Sequence, residues 1–317
     1  MSALIIGYSR PSGVLALLKS LNLNGVKRIY VSIDGPRSES DKIKQVEIQK
    51  VLRGFEATSE SSIFVKSNQT NLGVAAGVLS AIDWFFEHEP EGFILEDDLV
   101  VGDDFYHFAS TGLEIFRNDS SVWMISGTQL FPDGSPELTE TWTNYPMIWG
   151  WAGWAEKWKI MRAALLEDKK VPVSKLTDRR QVFWSVGANR ALNGKVDTWD
   201  IPLAYEFWNL GKFCILPPVN LISNIGDDDS STHTASDNSA LRQDIQFLSK
   251  NFRYVGVRDI EQIKSYNSKL EASIFKLRRR HVLLPYYSKL LDWWRFPRKL
   301  RKSPLRLRVN RDNFTAP

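Results

Sequence analysis

The sequence has a single cysteine, Cys214, and only four histidines in 317 residues. One cysteine excludes an internal disulfide and a zinc site built from several thiolates, and it favours a reducing compartment. There is no run of about 18 apolar residues, so the sequence predicts no membrane-spanning helix. The apolar start at residues 3–6 is too short for a signal-peptide core and has no basic lead-in, so no signal peptide is expected.

Acidic residues are nearly absent from the end of the chain. Residues 276–311, the basic tail, contain 13 Lys or Arg and one acid, Asp292; the tail carries +12, the whole chain +4 and the remainder −8. A nucleic-acid-binding protein more often has its basic patch on a folded face, so we expect no nucleic-acid partner. Basic residues interleaved with Trp and Tyr suit an anionic membrane surface, which predicts a cytoplasmic protein bound peripherally to the inner face of the cell membrane. A terminal helix packed on the domain, with a frayed basic end, is the alternative.

Three consecutive acids, Glu96, Asp97 and Asp98, follow the apolar run at residues 92–95. The run is typical of a buried strand, and because successive strand residues point to opposite faces, one acid should be partly buried. Adjacent carboxylates repel each other. A divalent cation, held by oxygen ligands and bridging to a phosphate, would offset that repulsion. The alternative is a solvated acidic turn that caps the next helix.

Strands and helices alternate along the first part of the chain. The pattern predicts strands at 3–7, 28–33, 62–66 and 92–95, with helices at 9–21, 38–55 and 74–87 between them. A helix at 104–116 and strands at 121–127 and 213–216 follow, and the polar stretch 129–146 predicts loops and a hairpin. Such alternation is typical of an α/β fold with a mostly parallel sheet and helices on both faces.

Polar side chains follow the predicted strand ends: Arg10, Asp34, Asn71 and the acids at 96–98. Ligands of parallel sheets bind beyond the carboxyl ends of the strands, so these residues predict one site at one edge. Each also has a structural alternative. Arg10 fits a solvated helix start, Asp34 fits a turn before Gly-Pro, and Asn71 fits the beginning of the next helix.

An ordered set of motifs resembles one enzyme family, the GT-A nucleotide-sugar glycosyltransferases. The similarity is to the N-acetylglucosaminyltransferase I branch and to bacterial relatives in surface-polysaccharide biosynthesis, and it spans about residues 3–235. The matching pieces are Ile-Gly-Tyr-Ser-Arg at 6–10, Ser-Ile-Asp-Gly at 32–35, Asn-Leu-Gly at 71–73, Ile-Leu-Glu-Asp-Asp at 94–98, Ile-Ser-Gly at 125–127, Trp-Gly-Trp at 149–151, Thr-Trp-Asp at 198–200, Ser-Asn-Ile-Gly at 223–226 and Thr-His-Thr at 232–234. The resemblance implies a GT-A, Rossmann-like fold.

The resemblance also implies roles for the residues at the strand ends. Asp98 resembles the metal ligand of a variant DXD motif, in which Mn²⁺ or Mg²⁺ bridges the carboxylate to the donor diphosphate. Asp97 resembles a ribose contact and Glu96 a contact to the transferred sugar. Asp34 resembles the residue that binds the pyrimidine edge, and Arg10 a diphosphate partner.

Further roles fall on later parts of the chain. Asp200 would be the general base for the acceptor hydroxyl, with Asp197 the second candidate, and His233 would reach the metal or the diphosphate from a closing loop. Asn71 belongs to the nucleotide-binding set. Relatives often place a basic residue after the Asn-Leu-Gly piece, but residues 74–76 are Val-Ala-Ala. Without the resemblance, Asp200 fits a helix N-cap and His233 a structural histidine.

These observations predict a metal-dependent, inverting glycosyltransferase with a UDP-sugar donor and a surface-glycan or lipid-linked acceptor. Residues 1–250 would form the GT-A domain and 251–317 a basic helical appendage. A sugar-nucleotide nucleotidyltransferase is the nearest alternative, although such enzymes normally have a Gly-rich phosphate loop with a basic residue after the first strand. A non-catalytic glycan- or lipid-binding relative is the other.

Five tryptophans lie between residues 142 and 158. Large aromatic side chains dominate cores, and they also stack on sugar rings. We expect Trp154 and Trp158 in the core and Trp149 or Trp151 in the acceptor cleft.

Overall fold

The computed structural model describes residues 1–132, 139–167, 179–226 and 244–277. His233 and all of the basic tail beyond residue 277 lie outside the described residues. The strands are β1 (Ser2–Gly7), β2 (Arg28–Ile33), β3 (Ser62–Ser67), β4 (Glu91–Glu96), β5 (Leu99–Val101), β6 (Val122–Ser126), β7 (Thr141–Thr143), β8 (Trp151–Trp154), β9 (Phe213–Leu216) and β10 (Ile222–Asn224). The helices are α1 (Pro11–Leu23), α2 (Glu39–Glu56), α3 (Val74–His88), α4 (Asp103–Ile115), α5 (Ala155–Leu166), α6 (Arg179–Leu192), α7 (Asp200–Asn209) and α8 (Ile260–Lys269), with a π-helical turn at Leu270–Ile274.

Eight strands form one sheet in the order β3-β2-β1-β4-β8-β6-β9-β7, and β5 and β10 form a separate antiparallel ribbon. β1 is parallel to β2 and β4, and β2 is parallel to β3. β8 runs antiparallel between β4 and β6, and β7 runs antiparallel to β9. The mostly parallel α/β sheet predicted from the alternation is confirmed.

Helices cover both faces of the sheet because alternate strand residues point to opposite sides. Along β1, Ala3 and Ile5 join one buried cluster and Leu4 joins the other. The first cluster receives apolar residues from α1, α2 and α4, and the second from α3, α5 and α7. In the described part of the chain, no helix is both long enough and apolar enough to cross a bilayer.

The structure has short strands in two of the connections. The stretch 129–146 was predicted to contain loops and a hairpin; residues 133–138 lie outside the described ranges, and β7 pairs with β9, which lies about seventy residues further along the chain. No strand was predicted between the acids at 96–98 and the helix at 104–116, but Leu99–Val101 form β5, which pairs with β10. Both strands have three residues, too few for an alternating pattern to be visible in the sequence.

The tryptophans separate into core and partly buried positions. Trp154 and Trp158 are 2% and 7% exposed, which confirms the prediction that they belong to the core. Trp151 is 3% exposed, so of the two tryptophans considered for the acceptor cleft only Trp149 stays a candidate. It lies in β8, whose four residues are all buried between β4 and β6. Trp149 is only partly buried and packs against both clusters.

Residues beyond 250 pack on the main domain as far as they are described. The hydroxyl of Tyr254 donates to the Phe108 carbonyl at 2.7 Å. The Thr143 hydroxyl donates to Asn267 Oδ1 at 2.6 Å, and Tyr145 donates to Glu271 at 3.0 Å. The expected division at residue 250 stays a prediction, but the segment up to 277 shares hydrogen bonds with the preceding domain.

A buried lysine fastens α5 to the connection between α4 and β6. Lys157 is 6% exposed. Its Nζ donates to the carbonyls of Phe116 (2.8 Å), Asp119 (3.0 Å) and Val122 (2.8 Å). The same ammonium lies 3.6 Å from the ring centroid of Trp154, and burial lowers the pKa of Lys157 to about 8. Such a group is stable in a core only when it is hydrogen-bonded in this way.

Replacing this lysine should destabilise the fold. We expect Lys157→Met to lower the free energy of unfolding by about 2–4 kcal/mol, because three buried carbonyl groups lose their donor. Lys159→Met, on the exposed side of the same helix, should change it by no more than about 0.5 kcal/mol. Urea unfolding of both variants measures the difference, and equal midpoints would contradict the assignment.

Candidate functional site

The carboxyl ends of the first four strands meet at one edge of the sheet. Ile6 of β1 lies opposite Ser32 of β2 and opposite Glu96 of β4. Asp97 directly follows Glu96 and Asp34 lies two residues after Ser32, so the two carboxylates are within one residue of each other along the strand direction. The prediction that the polar residues after these strands share one edge is confirmed.

Asp97 is the buried member of the acidic run, with 5% exposure, as the alternation of strand side chains required. Its Oδ2 accepts from the Tyr8 amide at 2.8 Å, and its Oδ1 accepts from Arg10 Nη1 at 3.1 Å. Burial raises the pKa of Asp97, and the Tyr8 amide and Arg10 oppose that rise. These contacts orient Arg10, whose Nη1 also lies 3.9 Å from Asp98 Oδ2.

The ribbon of β5 and β10 lies beside Asp98. Leu99 pairs with Asn224, and the Ile225 amide donates to the Asp98 carbonyl at 2.9 Å. A Cβ atom at Gly226 would meet Asp98 Oδ2 in its present position, so glycine allows this close approach without moving the Asp98 side chain. The Ser-Asn-Ile-Gly motif at 223–226 therefore lies against the candidate metal ligand.

Glu96 lies among other carboxylates. Burial raises its pKa to about 8, and the negative charges of Asp98, Asp97 and Asp200 add to the rise. Arg10 acts in the opposite direction. The fold thus brings Asp200, about a hundred residues later in the chain, into the electrostatic field of the acidic run.

Asp34 holds the loop that follows β3. Its carboxylate accepts from Asn68 Nδ2 at 3.1 Å, from Asn71 Nδ2 at 2.9 Å and from the Leu72 amide at 3.0 Å. Asn71 Nδ2 also donates to the Gly35 carbonyl at 2.8 Å. Asp34 and Asn71 are therefore in direct contact, and their predicted role in nucleotide binding stays a prediction.

The two candidate bases have different surroundings. Asp200 begins α7, and its Oδ1 accepts from the Thr198 hydroxyl and from the Ile201 amide, the latter at 2.8 Å. Asp197 instead reaches the start of α3, where its two oxygens accept from the amides of Val74 and Ala75, each at 2.9 Å. Both oxygens of Asp197 therefore hold the end of a helix.

A polar network that the sequence analysis missed adjoins the site. The Tyr8 hydroxyl donates to Asp41 Oδ2 at 2.7 Å and accepts from Arg37 Nε at 2.8 Å. The Arg37 guanidinium lies 4.7 Å from the centroid of the Tyr8 ring. Gln45 Nε2 donates to the carbonyls of Tyr8 and Asp34, at 3.2 and 2.8 Å. Arg37 follows the Asp-Gly-Pro turn after β2. Its position at the same strand end as Asp34 was the feature of the sequence that could have predicted this network.

The donor set suits a divalent cation that completes its coordination with substrate oxygens. Within the described ranges, no group of three or more His, Cys, Asp or Glu side chains is arranged to hold a metal unaided. Mg²⁺ is usually bound by one or two carboxylates together with waters and substrate phosphates. Burial raises the pKa of Glu96, and the negative charges of Asp98, Asp97 and Asp200 add to that rise, which indicates crowded negative charge beside Asp98. A cation bound by Asp98 and a diphosphate would offset that charge.

No family model matches the chain. No curated protein matches it either. Among solved structures, it is similar to HddC from Yersinia pseudotuberculosis, with 17% identity over 39% of this chain and 56% of that chain and a TM-score of 0.27. The inositol-1-phosphate CTP transferase from T. maritima is 9% identical over 68% of this chain and 84% of that one, with a TM-score of 0.38. A protein described as a glucose-1-phosphate thymidylyltransferase from Bacillus anthracis is 12% identical over 59% and 83%, with a TM-score of 0.31.

These similarities are weak. The chain spans only 56% of the length of HddC, and all three TM-scores are below 0.5. They carry no inference about activity.

The raised pKa of Glu96 predicts how the stability of the metal-free protein changes with pH. Glu96 ionises near 4.5 when unfolded and at about 8 when folded, so the folded state holds an extra proton between these values. The stabilisation is complete below about pH 4.5 and is lost as the pH rises through about 8, at on the order of 1 kcal/mol per pH unit. Unfolding midpoints from pH 5 to 8.5 in a chelator should fall for the wild type and fall less for Glu96→Gln. Parallel profiles would contradict the assignment.

Proposed function

We propose that the chain is a metal-dependent glycosyltransferase that moves a sugar from a nucleotide-diphosphate donor, a UDP-sugar, to an acceptor hydroxyl. One observation carries the proposal: acids at 96–98, Arg10 and Asp200 converge at the carboxyl edge of the sheet. The Asp34–Asn71 contact lies at the end of β2, two strands away from β4. Ligands of such sheets bind at this edge.

The donor diphosphate would lie between Arg10 and Asp98. Asp98 would hold Mn²⁺ or Mg²⁺ together with the phosphates, and the bound ion would act as a Lewis acid toward the leaving diphosphate. Arg10 would share the charge that grows on the leaving oxygen, because its planar guanidinium suits bidentate contact with phosphate. The ion pair between Arg10 Nη1 and Asp97 Oδ1, at 3.1 Å, restricts the orientation of the guanidinium in the site. Asp34 and Asn71 would bind the nucleoside.

The acceptor hydroxyl would lose its proton to Asp200. A carboxylate in this role typically contributes about 10²–10⁴-fold to the rate. The contacts of Asp200 Oδ1 with Thr198 and with the Ile201 amide fix the direction of the carboxylate. A base on the acceptor side, away from the diphosphate, corresponds to inversion at the anomeric carbon. The acceptor class we propose is a surface glycan or its lipid-linked precursor, with the basic tail as the membrane contact.

Nucleotidyl transfer is the second candidate. Arg10, a basic residue after the first strand, is one part of the pattern expected of sugar-nucleotide synthesis, but the segment between Gly7 and Gly13 is not Gly-rich, and Gly13 already lies in α1. The two activities differ in product. A glycosyltransferase releases UDP from a UDP-sugar, whereas a nucleotidyltransferase releases pyrophosphate from UTP and a sugar 1-phosphate. Incubation with each substrate pair, followed by product chromatography, separates them.

The metal assignment is tested by UDP binding. We expect Mn²⁺ to raise the UDP affinity of the wild type by about tenfold or more, because the ion offsets the carboxylate charge. Asp98→Ala should lose that dependence on Mn²⁺. Glu47→Ala, which removes an exposed acid of α2, serves as the control and should retain it. Calorimetry with and without Mn²⁺ measures the effect, and an affinity that Mn²⁺ leaves unchanged in the wild type would overturn the metal role.

The base assignment is tested by Asp200→Asn. The amide keeps the shape of the side chain but cannot accept the proton, so transfer should fall by about 10²-fold or more. UDP affinity with Mn²⁺ should stay within about twofold of the wild type, since the nucleotide contacts are elsewhere. Release of UDP from UDP-hexoses and UDP-N-acetylhexosamines provides the rate. Near-normal release in this variant would remove Asp200 from the mechanism.

A further inference from the structure

The N-terminus of α3 has no cap from its own segment. Its N-cap residue is Gly73, which has no side chain to accept a hydrogen bond. The first amides of a helix need partners from elsewhere. Here they come from Asp197, which accepts from Val74 and Ala75 across 123 and 122 residues of chain.

Gly73 allows the contact between Asp197 and the start of α3 for two reasons. Gly73 has a φ of +84°, a conformation that side chains other than glycine rarely adopt. A Cβ atom at Gly73 would also lie 2.6 Å from Asp197 Oδ2, closer than two such atoms can approach. Glycine at this position therefore serves the approach of Asp197 as well as the turn into α3.

Asp197 lies between two parts of the candidate site, the loop that Asp34 holds and the segment that contains Asp200. On one side, the Leu72 amide, two residues before Val74, donates to both oxygens of Asp34 at 3.0 Å. On the other side, Thr198 follows Asp197 directly and donates to Asp200. One carboxylate thus joins the loop on the nucleotide side to the residue proposed as the base.

We propose that Asp197 is a positioning residue that couples the loop at residues 68–73 to Asp200; the inference rests on the proposed function of the site. It does not take the proton of the acceptor, because both of its oxygens are held by the first turn of α3. The same two amides are occupied by a protein carboxylate, so a donor phosphate has no place on them. Binding of the nucleoside at Asp34 and Asn71 would instead be transmitted through α3 and Asp197 to the start of α7.

The test uses the full-length protein and three variants. Asp197→Ala removes both hydrogen bonds, and Asp197→Asn keeps an oxygen that can accept one of them. Asp259→Ala is the matched control, because Asp259 caps α8 by accepting from two amides, at 2.9 and 3.1 Å, and belongs to no part of the site. Release of UDP from UDP-sugars with Mn²⁺ is followed from pH 5.5 to 9, below the unfolding temperature of each variant.

We expect Asp197→Ala to lower kcat by about tenfold or more, because small displacements of a base have large effects on the rate. Asp197→Asn should recover part of that loss, and Asp259→Ala should match the wild type in kcat. The acid limb of the pH profile should keep its position in both Asp197 variants. An asparagine variant as inactive as the alanine variant, with the acid limb abolished, would show that Asp197 is the base and would overturn the proposal.

If Asp197 only caps α3, its replacement should change the stability of the protein but not its activity. If Asp197→Ala lowers only the melting temperature, as Asp259→Ala does, and leaves kcat and UDP affinity unchanged, the coupling does not exist. The failure of the proposed function is separable from this result. If the wild type releases no UDP from any donor, UDP affinity with Mn²⁺ and amide exchange at Val74 and Ala75 remain as readouts. Asp197→Ala must then exchange faster and bind UDP more weakly, and unchanged affinity would overturn the coupling.

Discussion

The crowding of negative charge at the end of β4 is the constraint on which the candidate site depends. Glu96, Asp97 and Asp98 are adjacent in sequence, and the fold adds Asp200 to their field. Burial raises the pKa of Glu96 to about 8, and the like charges at close range, which disfavour ionisation, add to that rise. Arg10 relieves part of the repulsion through Asp97 and Asp98. The remainder is the physical reason to expect a divalent cation in the working protein.

The surrounding structure keeps these groups in place with hydrogen bonds that are remote in sequence. Parallel register between β1, β2 and β4 sets Asp34 and Asp97 at one edge. Asp34 then fixes the loop after β3, and Asp197 fixes the start of α3. In each case a carboxylate satisfies backbone amides that would otherwise need water or another partner. The site is thus built from rigid strand ends and capped helices, which suits a reaction that depends on orientation.

The sequence predicted those features that a local pattern determines. Alternation of strands and helices predicted β1 to β4 and the parallel sheet, and the side-chain period of a strand predicted that one acid would be buried. β8 was missed because all four of its residues are buried, so it shows no alternation. β5 and β7 were missed because a strand of three residues is too short to show an alternation of apolar and polar side chains. The contact of Asp197 with α3 depends on pairing across 123 residues, and no local signal contains it.

We propose that a cation joins Asp98 to the donor diphosphate. A crystal of the protein soaked with UDP and Mn²⁺, with data collected at the manganese absorption edge, tests it most directly. We expect one anomalous peak within coordination distance of both the Asp98 carboxylate and the phosphate oxygens. UDP bound at the strand ends with no anomalous peak there, and with the Asp98 side chain directed away from the phosphates, would contradict it.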